Sequence, residues 1–194
     1  MTKNIVILGA GTAGTMMSNH LRRALKDEWN ITIIDQRTEH HYQPGYLFVP
    51  FGVYEPEDIV KPIEKFIPDG VNLKLGAIDK IYPDKDKVVM VSGEEFNYDI
   101  LIVATGTDIA PEETEGMMGP HWHKDVFDFY TLEGAAALAK KFKDWEGGKL
   151  VVNIAEMPIK CPVAPLEFTF LADAFFEQKG MRDKVEIVFA TPMS

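Results

Sequence analysis

The sequence predicts an α/β fold in which the short buried strands of a parallel sheet alternate with helices. Continuous apolar runs of four or five residues recur along the chain, as is typical of strands that are buried on both faces. Segments with the apolar period of a helix lie between several of these runs. The chain has 194 residues, 46% of them apolar, which suffices for one good core, or for one domain and part of another.

The chain opens with a strand, a turn, a helix and a second strand. The first apolar run covers residues 4–8, and a stripe of helical period covers residues 15–26. A second run over residues 31–34 ends at Asp35. Three glycines with the spacing G-x-G-x-x-G occupy the turn between the first strand and the helix. This arrangement predicts a Rossmann-like domain.

The glycine spacing suits the pyrophosphate group of a dinucleotide. Gly9 allows a tight turn, Gly11 lets the backbone approach the pyrophosphate at the helix N-terminus, and Gly14 lets the helix pack closely on the strand. Asp35 is placed to accept a hydrogen bond from a ribose hydroxyl. The motif does not decide between FAD and NAD. The predicted cofactor contacts in this unit are Gly9, Ala10, Gly11, Thr12, Ala13, Gly14, Asp35 and Gln36.

Smaller elements are predicted between the second strand and residue 106. Residues 40–54 are rich in aromatic residues, prolines and glycines, and they predict an irregular loop that lies against another part of the structure. Residues 62–66 predict a short helix. Four further strands are predicted, three in an inserted β-meander and the fourth buried: residues 73–81, 87–91, 95–98 and 100–103.

The polar segment over residues 108–120 is the best candidate for a domain boundary. It separates a dinucleotide-binding domain, residues 1–112, from a second domain, residues 113–194. Because the second domain holds only two predicted strands, it is the incomplete start of another Rossmann-like domain, and we expect more of the polypeptide or another chain to complete it. Its predicted elements are a helix over 131–144 with Thr131 as N-cap, a strand over 150–154, a helix over 165–179 with Gly180 as C-cap, and a strand over 185–190.

A second cofactor-binding segment follows the meander. Residues 98–106 read Tyr-Asp-Ile-Leu-Ile-Val-Ala-Thr-Gly. They resemble the second FAD fingerprint of the flavoproteins with two dinucleotide-binding domains, in which an apolar strand ends in Ala-Thr-Gly close to the cofactor. The β-meander is similar to that family's insertion in the FAD domain. The resemblance implies that the cofactor is FAD, and it adds to the predicted contacts Ala77, Ile78, Ala104, Thr105 and Gly106.

Cys161 is the only cysteine of the chain, so it cannot form an intrachain disulfide. It follows the strand over 150–154, in the turn where NADH-using relatives of these flavoproteins carry a second glycine loop. Residues 155–162 contain no glycine, and their side chains and prolines would obstruct a pyrophosphate, so a nicotinamide site is not expected. The N-terminal end of the next helix would stabilise a thiolate at Cys161. A buried structural thiol is the alternative.

Residues 160–167 read Lys-Cys-Pro-Val-Ala-Pro-Leu-Glu. They resemble the Cys-Pro-x-x-Pro-x-Glu segment of sulfide:quinone oxidoreductases and flavocytochrome c sulfide dehydrogenases, and with the FAD segments the chain is similar to the N-terminal half of that family. The resemblance implies FAD-dependent oxidation of sulfide with transfer of electrons to quinone. Cys161 would carry sulfur at the flavin, and Glu167 would be either a proton acceptor or simply a helix N-terminal carboxylate. The family's partner cysteine lies in the C-terminal half.

Residues 42–46 resemble the family segment that runs along the flavin, which adds Gln43 and Pro44 to the predicted contacts.

A type II NADH:quinone oxidoreductase is one alternative function, although the missing second glycine loop argues against it. A non-catalytic FAD-binding or assembly subunit is the other, and the abrupt C-terminus supports it.

Charge and composition argue against several other classes. The formal net charge of −10 makes nucleic acid an unsuitable partner. We see no secretory signal and no apolar run that is long enough for a membrane span. We therefore expect a cytoplasmic protein. The resemblance to sulfide:quinone oxidoreductases implies peripheral membrane association through the missing C-terminal half. We also expect a homo-oligomer. The pairs His40–His41 and His121–His123 lack an evident third ligand, so no metal site is expected.

Overall fold

The computed structural model describes residues 2–25 and 28–192, which form two compact units. The first comprises the described residues up to Tyr42 together with Val60–Gly106, and the second comprises Gln43–Ile59 and the described residues from Thr107 onward. The units divide after Gly106, earlier than the predicted domain boundary at residue 112. Gln43–Ile59 groups with the second unit because its apolar side chains pack in that unit's core.

The described residues contain eleven strands and four α-helices. The strands are β1 (Lys3–Leu8), β2 (Trp29–Asp35), β3 (Glu39–His41), β4 (Val60–Pro62), β5 (Val71–Leu75), β6 (Ile78–Tyr82), β7 (Lys87–Met90), β8 (Glu95–Asn97), β9 (Ile100–Val103), β10 (Gly148–Asn153) and β11 (Val185–Ala190). The helices are α1 (Thr12–Leu25), α2 (Pro56–Ile59), α3 (Leu132–Asp144) and α4 (Ala164–Gln178). Within the described part of the chain, no helix has the length and apolar character that a membrane span requires.

A four-stranded parallel sheet with the order β5-β2-β1-β9 forms the centre of the first unit. The predicted strand, turn, helix and strand are confirmed, and β1 pairs with β2 from Lys3 opposite Trp29 onward. Helix α1 begins at Thr12, earlier than predicted, so the last glycine of the motif lies inside its first turn. The predicted end of this helix at Lys26 lies outside the described residues.

Both faces of this sheet are covered, because successive strand residues point to opposite faces. Ile5 and Ile7 pack in a buried cluster that includes partly buried leucines of α1. Val6 and Leu8 pack on the other face, with buried side chains of β7. The first unit therefore has three layers, namely helix, parallel sheet and meander.

The β-meander is smaller than predicted and consists of β6, β7 and β8 in antiparallel order. The prediction of one strand over residues 73–81 is wrong, since β5 ends before Gly76 and pairs with β2 in the parallel sheet. Gly76 has φ +150°, and a Cβ there would lie 2.5 Å from Cε of Met90. The backbone conformation therefore favours glycine at the break between β5 and β6, whereas Cε of Met90 is the far end of a flexible side chain that can shift.

The segment over residues 40–54 is more regular than predicted. Its first residues belong to β3, which pairs with β4, and Gln43–Phe51 forms a 3-10 helix. The two prolines and the glycine in this helix hid its period in the sequence. The short helix predicted over residues 62–66 is a second 3-10 helix, Ile63–Phe66.

The second unit contains a two-stranded parallel sheet, β10 and β11, together with α3 and α4. The predicted N-cap of α3 is confirmed, because Oγ1 of Thr131 accepts a hydrogen bond from the N–H of Gly134 at 3.0 Å. Gly180 follows the end of α4 with φ +65°, a conformation common after a helix. The buried core of this unit is apolar and rich in phenylalanine: Leu47, Leu138, Phe142, Val152, Phe168, Ala172, Phe176 and Val185.

Candidate functional site

The turn between β1 and α1 requires two of its glycines for packing within the protein. Gly9 has φ +93°, and a Cβ there would collide with the carbonyl oxygen of Ala104. A Cβ at Gly14 would collide with the carbonyl oxygen of Gly9. The first and third glycines therefore let the strand, the turn and the helix come together, as the motif predicts.

Gly11 has a different role, because the space in front of it is open. A Cβ at this position would meet no atom within 4 Å. Thr12 and Ala13 lie in the first turn of α1, where backbone N–H groups have no partner inside the helix. Exposed N–H groups at the N-terminus of a long helix attract a negatively charged group such as a pyrophosphate.

Asp35 contacts the turn through its carboxylate. Its Oδ2 atom accepts a hydrogen bond from the N–H of Ala10 at 2.6 Å, and its Oδ1 atom accepts one from the N–H of Arg37 at 2.8 Å. Each carboxylate oxygen can accept more than one hydrogen bond, so the predicted bond from a ribose hydroxyl stays compatible with this arrangement. Gln36 is exposed beside Asp35.

Two further predicted segments of the first unit lie at the same edge of the parallel sheet. The N–H of Ala104 donates to the carbonyl of Leu8 at 2.7 Å, which holds the Ala-Thr-Gly segment beside Gly9. The N–H of Gly76 donates to the carbonyl of Asp35 at 2.8 Å, and Ala77 and Ile78 follow it. The structure thus brings together the predicted contacts in residues 9–14, 35–36, 77–78 and 104–106.

These residues fit FAD as the bound group. The open space at Gly11 and the helix N-terminus suit a pyrophosphate, and a carboxylate follows at the end of the next strand. FAD would supply a ring system that accepts and releases an electron pair. Gln43 and Pro44 belong to the second unit, in its first 3-10 helix. Their assignment to the cofactor, like that of each individual contact, stays a prediction.

Cys161 is exposed, in an irregular segment that precedes α4. The alternative of a buried structural thiol is therefore wrong. The hydroxyl of Tyr130 donates a hydrogen bond to the carbonyl oxygen of Cys161 at 2.9 Å. The side chain of Lys160 donates from Nζ to the carbonyl oxygen of Thr107 at 3.1 Å. Two side-chain contacts thus hold the backbone of this segment while the thiol is left accessible.

Burial raises the pKa of Tyr130 to about 12, and the negative charge of a Cys161 thiolate adds to the effect. Tyr130 therefore keeps its proton, and its hydrogen bond to Cys161, throughout the neutral range. No sequence pattern singles out Tyr130. Its aromatic neighbourhood indicates packing, and only the folded chain shows its hydroxyl at the cysteine.

Glu167 is exposed in the first turn of α4. This position suits a carboxylate that interacts with the positive end of a helix dipole. Its role as a proton acceptor stays a prediction.

The two histidine pairs take part in separate contacts. His40 is buried and contacts the carbonyl of Ala10. The pKa of the neighbouring His41 is lowered, first by burial and second by the positive charge of Arg37. His121 contacts Asp125 at 2.9 Å and His123 contacts Asp128 at 3.2 Å. Over residues 2–25 and 28–192, no group of three or more His, Cys, Asp or Glu side chains is arranged to hold a metal ion.

Comparison with known proteins shows that this chain is similar to quinone oxidoreductases over most of its length. Relatives include a mitochondrial sulfide:quinone oxidoreductase from Dictyostelium discoideum, 26% identical over 95% of this chain and 41% of its own length. A type II NADH:quinone oxidoreductase from Staphylococcus aureus is 32% identical over 73% of this chain and 34% of its own length. The chain spans less than half the length of these curated relatives.

A solved structure and a family model agree with this likeness. The X-ray structure of the sulfide:quinone oxidoreductase from Aquifex aeolicus matches with a TM-score of 0.79 and 25% identity, over 96% of this chain and 42% of that one. The model of the pyridine nucleotide-disulphide oxidoreductase family matches residues 3–153. The Rossmann-like fold, the resemblance to sulfide:quinone oxidoreductases and FAD as the cofactor are thereby confirmed. The chain belongs to the pyridine nucleotide-disulphide oxidoreductase family of flavoproteins.

Proposed function

We propose that this chain is part of an FAD-dependent oxidoreductase that oxidises sulfide and passes the electrons to a quinone. The observation that carries the proposal is the exposed Cys161, in a turn without glycine between β10 and α4. A thiol is the side chain best suited to bond with sulfur, and a glycine-free turn does not suit a second dinucleotide. The similarity to sulfide:quinone oxidoreductases over most of the chain supports the same function.

Different residues of the chain would have different roles in this reaction. The turn over residues 9–14 and Asp35 would bind FAD, which supplies an acceptor for the electron pair released when sulfide is oxidised to zero-valent sulfur. Cys161 would carry the sulfur atom, with Tyr130 and Lys160 holding its backbone in place. Glu167 would accept a proton from the sulfur substrate.

Anaerobic titration of the flavin absorbance with sulfide tests this proposal. We expect sulfide to bleach the flavin of the native chain, and Cys161→Ser to abolish the bleaching while dithionite still reduces its flavin fully. The dithionite control shows that the variant retains FAD. Bleaching by sulfide that survives in Cys161→Ser would rule out the thiol mechanism.

A type II NADH:quinone oxidoreductase is the second candidate function. The enzyme of this type from Staphylococcus aureus is 32% identical to this chain over its aligned part, whereas the sulfide:quinone oxidoreductase from Dictyostelium discoideum is 26% identical over its own. The same titration with NADH separates the candidates. Bleaching by NADH and not by sulfide would favour the NADH enzyme. Bleaching by neither reductant would favour a non-catalytic FAD-binding subunit.

We also propose that the enzyme is a cytoplasmic homo-oligomer that associates peripherally with the membrane, where quinones dissolve. Co-sedimentation with lipid vesicles and measurement of the molar mass in solution test these points. A monomer that stays in the supernatant would contradict both.

A further inference from the structure

His40 is a buried histidine whose ring contacts the dinucleotide-binding turn. It is the middle residue of β3 and is 9% exposed. Its Nδ1 atom lies 3.1 Å from the carbonyl oxygen of Ala10. Because a carbonyl oxygen only accepts hydrogen bonds, Nδ1 must carry a hydrogen and donate it.

Ala10 is held at both of its polar backbone groups. Its N–H donates to Oδ2 of Asp35 at 2.6 Å, and its carbonyl accepts from His40. Ala10 is only 1% exposed, so water does not readily replace either contact. Asp35, the last residue of β2, and His40 in β3 therefore fix the conformation of Ala10.

The carbonyl of Ala10 and the N–H of Gly11 belong to the same peptide group. In a planar trans peptide the two bonds point in opposite directions, so a side chain that fixes the carbonyl also fixes the N–H. Among the residues that the structure describes, the N–H of Gly11 has no hydrogen-bond partner, and a Cβ at Gly11 would face open space. This N–H is therefore free to bind a pyrophosphate oxygen at the start of α1.

Packing restricts the orientation of the His40 ring. Its centroid lies 4.3 Å from that of the Phe66 ring, with 32° between the ring planes. The carbonyl of Phe66 accepts a hydrogen bond at 2.9 Å from Nδ2 of Asn19, and the same amide donates to the carbonyl of Thr15, also at 2.9 Å. The aromatic residue that supports His40 is thus tied to α1, the helix at whose N-terminus the pyrophosphate would bind.

We propose that His40 is a positioning residue for the cofactor: through the Ala10 carbonyl, it holds the N–H of Gly11 toward the pyrophosphate of FAD. His40 does not touch the cofactor in this arrangement. Its effect is confined to ligands that carry the pyrophosphate, which distinguishes it from a residue that only stabilises the fold.

Two substitutions separate the hydrogen bond from the packing. His40→Phe keeps an aromatic ring against Phe66 but removes the donor, whereas the side-chain amide of His40→Asn can replace Nδ1 as donor. The full chain, freed of flavin, is titrated by calorimetry with ADP, which has a pyrophosphate, and with adenosine, which has none. We expect His40→Phe to weaken ADP binding about tenfold and to leave adenosine binding within about twofold. We expect His40→Asn to bind ADP within about threefold of the native chain.

Two results of the titration would overturn the proposal. One is native affinity of His40→Phe for ADP. The other is an equal loss of affinity for ADP and adenosine, which would assign His40 a purely structural role.

A measurement on the native FAD-loaded chain keeps the proposal testable if His40→Phe does not fold. The ¹⁵N resonances of the His40 ring report which nitrogen carries hydrogen. We expect a hydrogen on Nδ1. A ring protonated only on Nε2 could not donate to Ala10, and the proposal would then be wrong.

Discussion

At the residue scale, the candidate sites are organised by side chains that bind backbone groups. Asp35 binds the N–H of Ala10 in the dinucleotide-binding turn. Tyr130 binds the carbonyl of Cys161, and Lys160 binds the carbonyl of Thr107. Such contacts fix the path of the backbone, while the space at Gly11 stays open and the thiol of Cys161 stays exposed.

Tyr130 makes the stability of the chain depend on pH above about pH 10. Burial, with a further contribution from a Cys161 thiolate, raises the pKa of Tyr130 to about 12 in the folded chain, whereas a tyrosine in an unfolded chain has a pKa of about 10. The unfolded chain therefore loses this proton first as the pH rises. The stabilisation is fully present below about pH 10 and is lost as the pH rises toward about 12.

Urea unfolding at several pH values between about 9 and 12 measures this effect. We expect the midpoint of the native chain to fall more steeply with pH than that of Tyr130→Phe, which has no phenolic proton to lose at this position. Two parallel curves would show that Tyr130 does not carry the effect.

At the scale of elements, the junction of β1, the glycine turn and α1 combines two different requirements for glycine. Gly14 is required because the carbonyl of Gly9 occupies the space of a Cβ. Gly11 faces open space, so the protein alone would accept a larger residue there. We predict that the cofactor is what makes a small residue necessary at the second position of the motif.

Substitution of the two glycines by alanine tests this distinction. We expect Gly14→Ala to lower the free energy of unfolding of the flavin-free chain by about 1–3 kcal/mol, through the collision with Gly9. We expect Gly11→Ala to change that free energy by no more than about 0.5 kcal/mol, and to weaken FAD binding about tenfold or more, because its methyl group takes the space of the pyrophosphate. Urea unfolding and calorimetry with FAD measure the two effects.

Each glycine variant serves as the control for the other. Equal losses of stability in both would mean that the space at Gly11 is closed in the folded chain. Unchanged FAD binding in Gly11→Ala would mean that the pyrophosphate does not approach this residue.

At the scale of the whole molecule, each unit has a core of its own. The core of the first unit is aliphatic and lies on the two faces of the parallel sheet. The core of the second is aromatic and lies around α3 and α4, with Phe142 2% exposed at its centre. Truncation of this side chain therefore removes contacts from the second unit alone.

Phe142→Ala is expected to destabilise the second unit by about 3–5 kcal/mol. Amide hydrogen exchange should then accelerate in β10, β11 and α4, while β1 and β2 keep their protection. Phe170→Ala is the matched control, because Phe170 is 67% exposed on α4 and its loss should change exchange little. Equal acceleration in both units of Phe142→Ala would show that the two cores unfold together.

Local patterns determined much of the fold and the presence of a dinucleotide site, whereas the choice of FAD came from the resemblance to known flavoproteins. The run over residues 4–8, the glycine spacing and Asp35 lie close together in sequence, so propensity and spacing sufficed to predict β1, α1, β2 and the dinucleotide site. The predictions erred where a break depends on distant residues. Gly76 ends β5 beside Met90, and Gln43–Phe51 forms a 3-10 helix whose side chains enter the core of the second unit.

The sequence by itself determined the class of fold, the glycine motif and the single cysteine, because these follow from residue types and short-range periodicity. Only the tertiary structure decided which side chains hold those features in place. His40 lies 30 positions from Ala10 in the chain, and Tyr130 lies 31 from Cys161. No local pattern encodes contacts over such separations, since they form only when packing of the sheet, helices and connecting segments brings the groups within hydrogen-bonding distance.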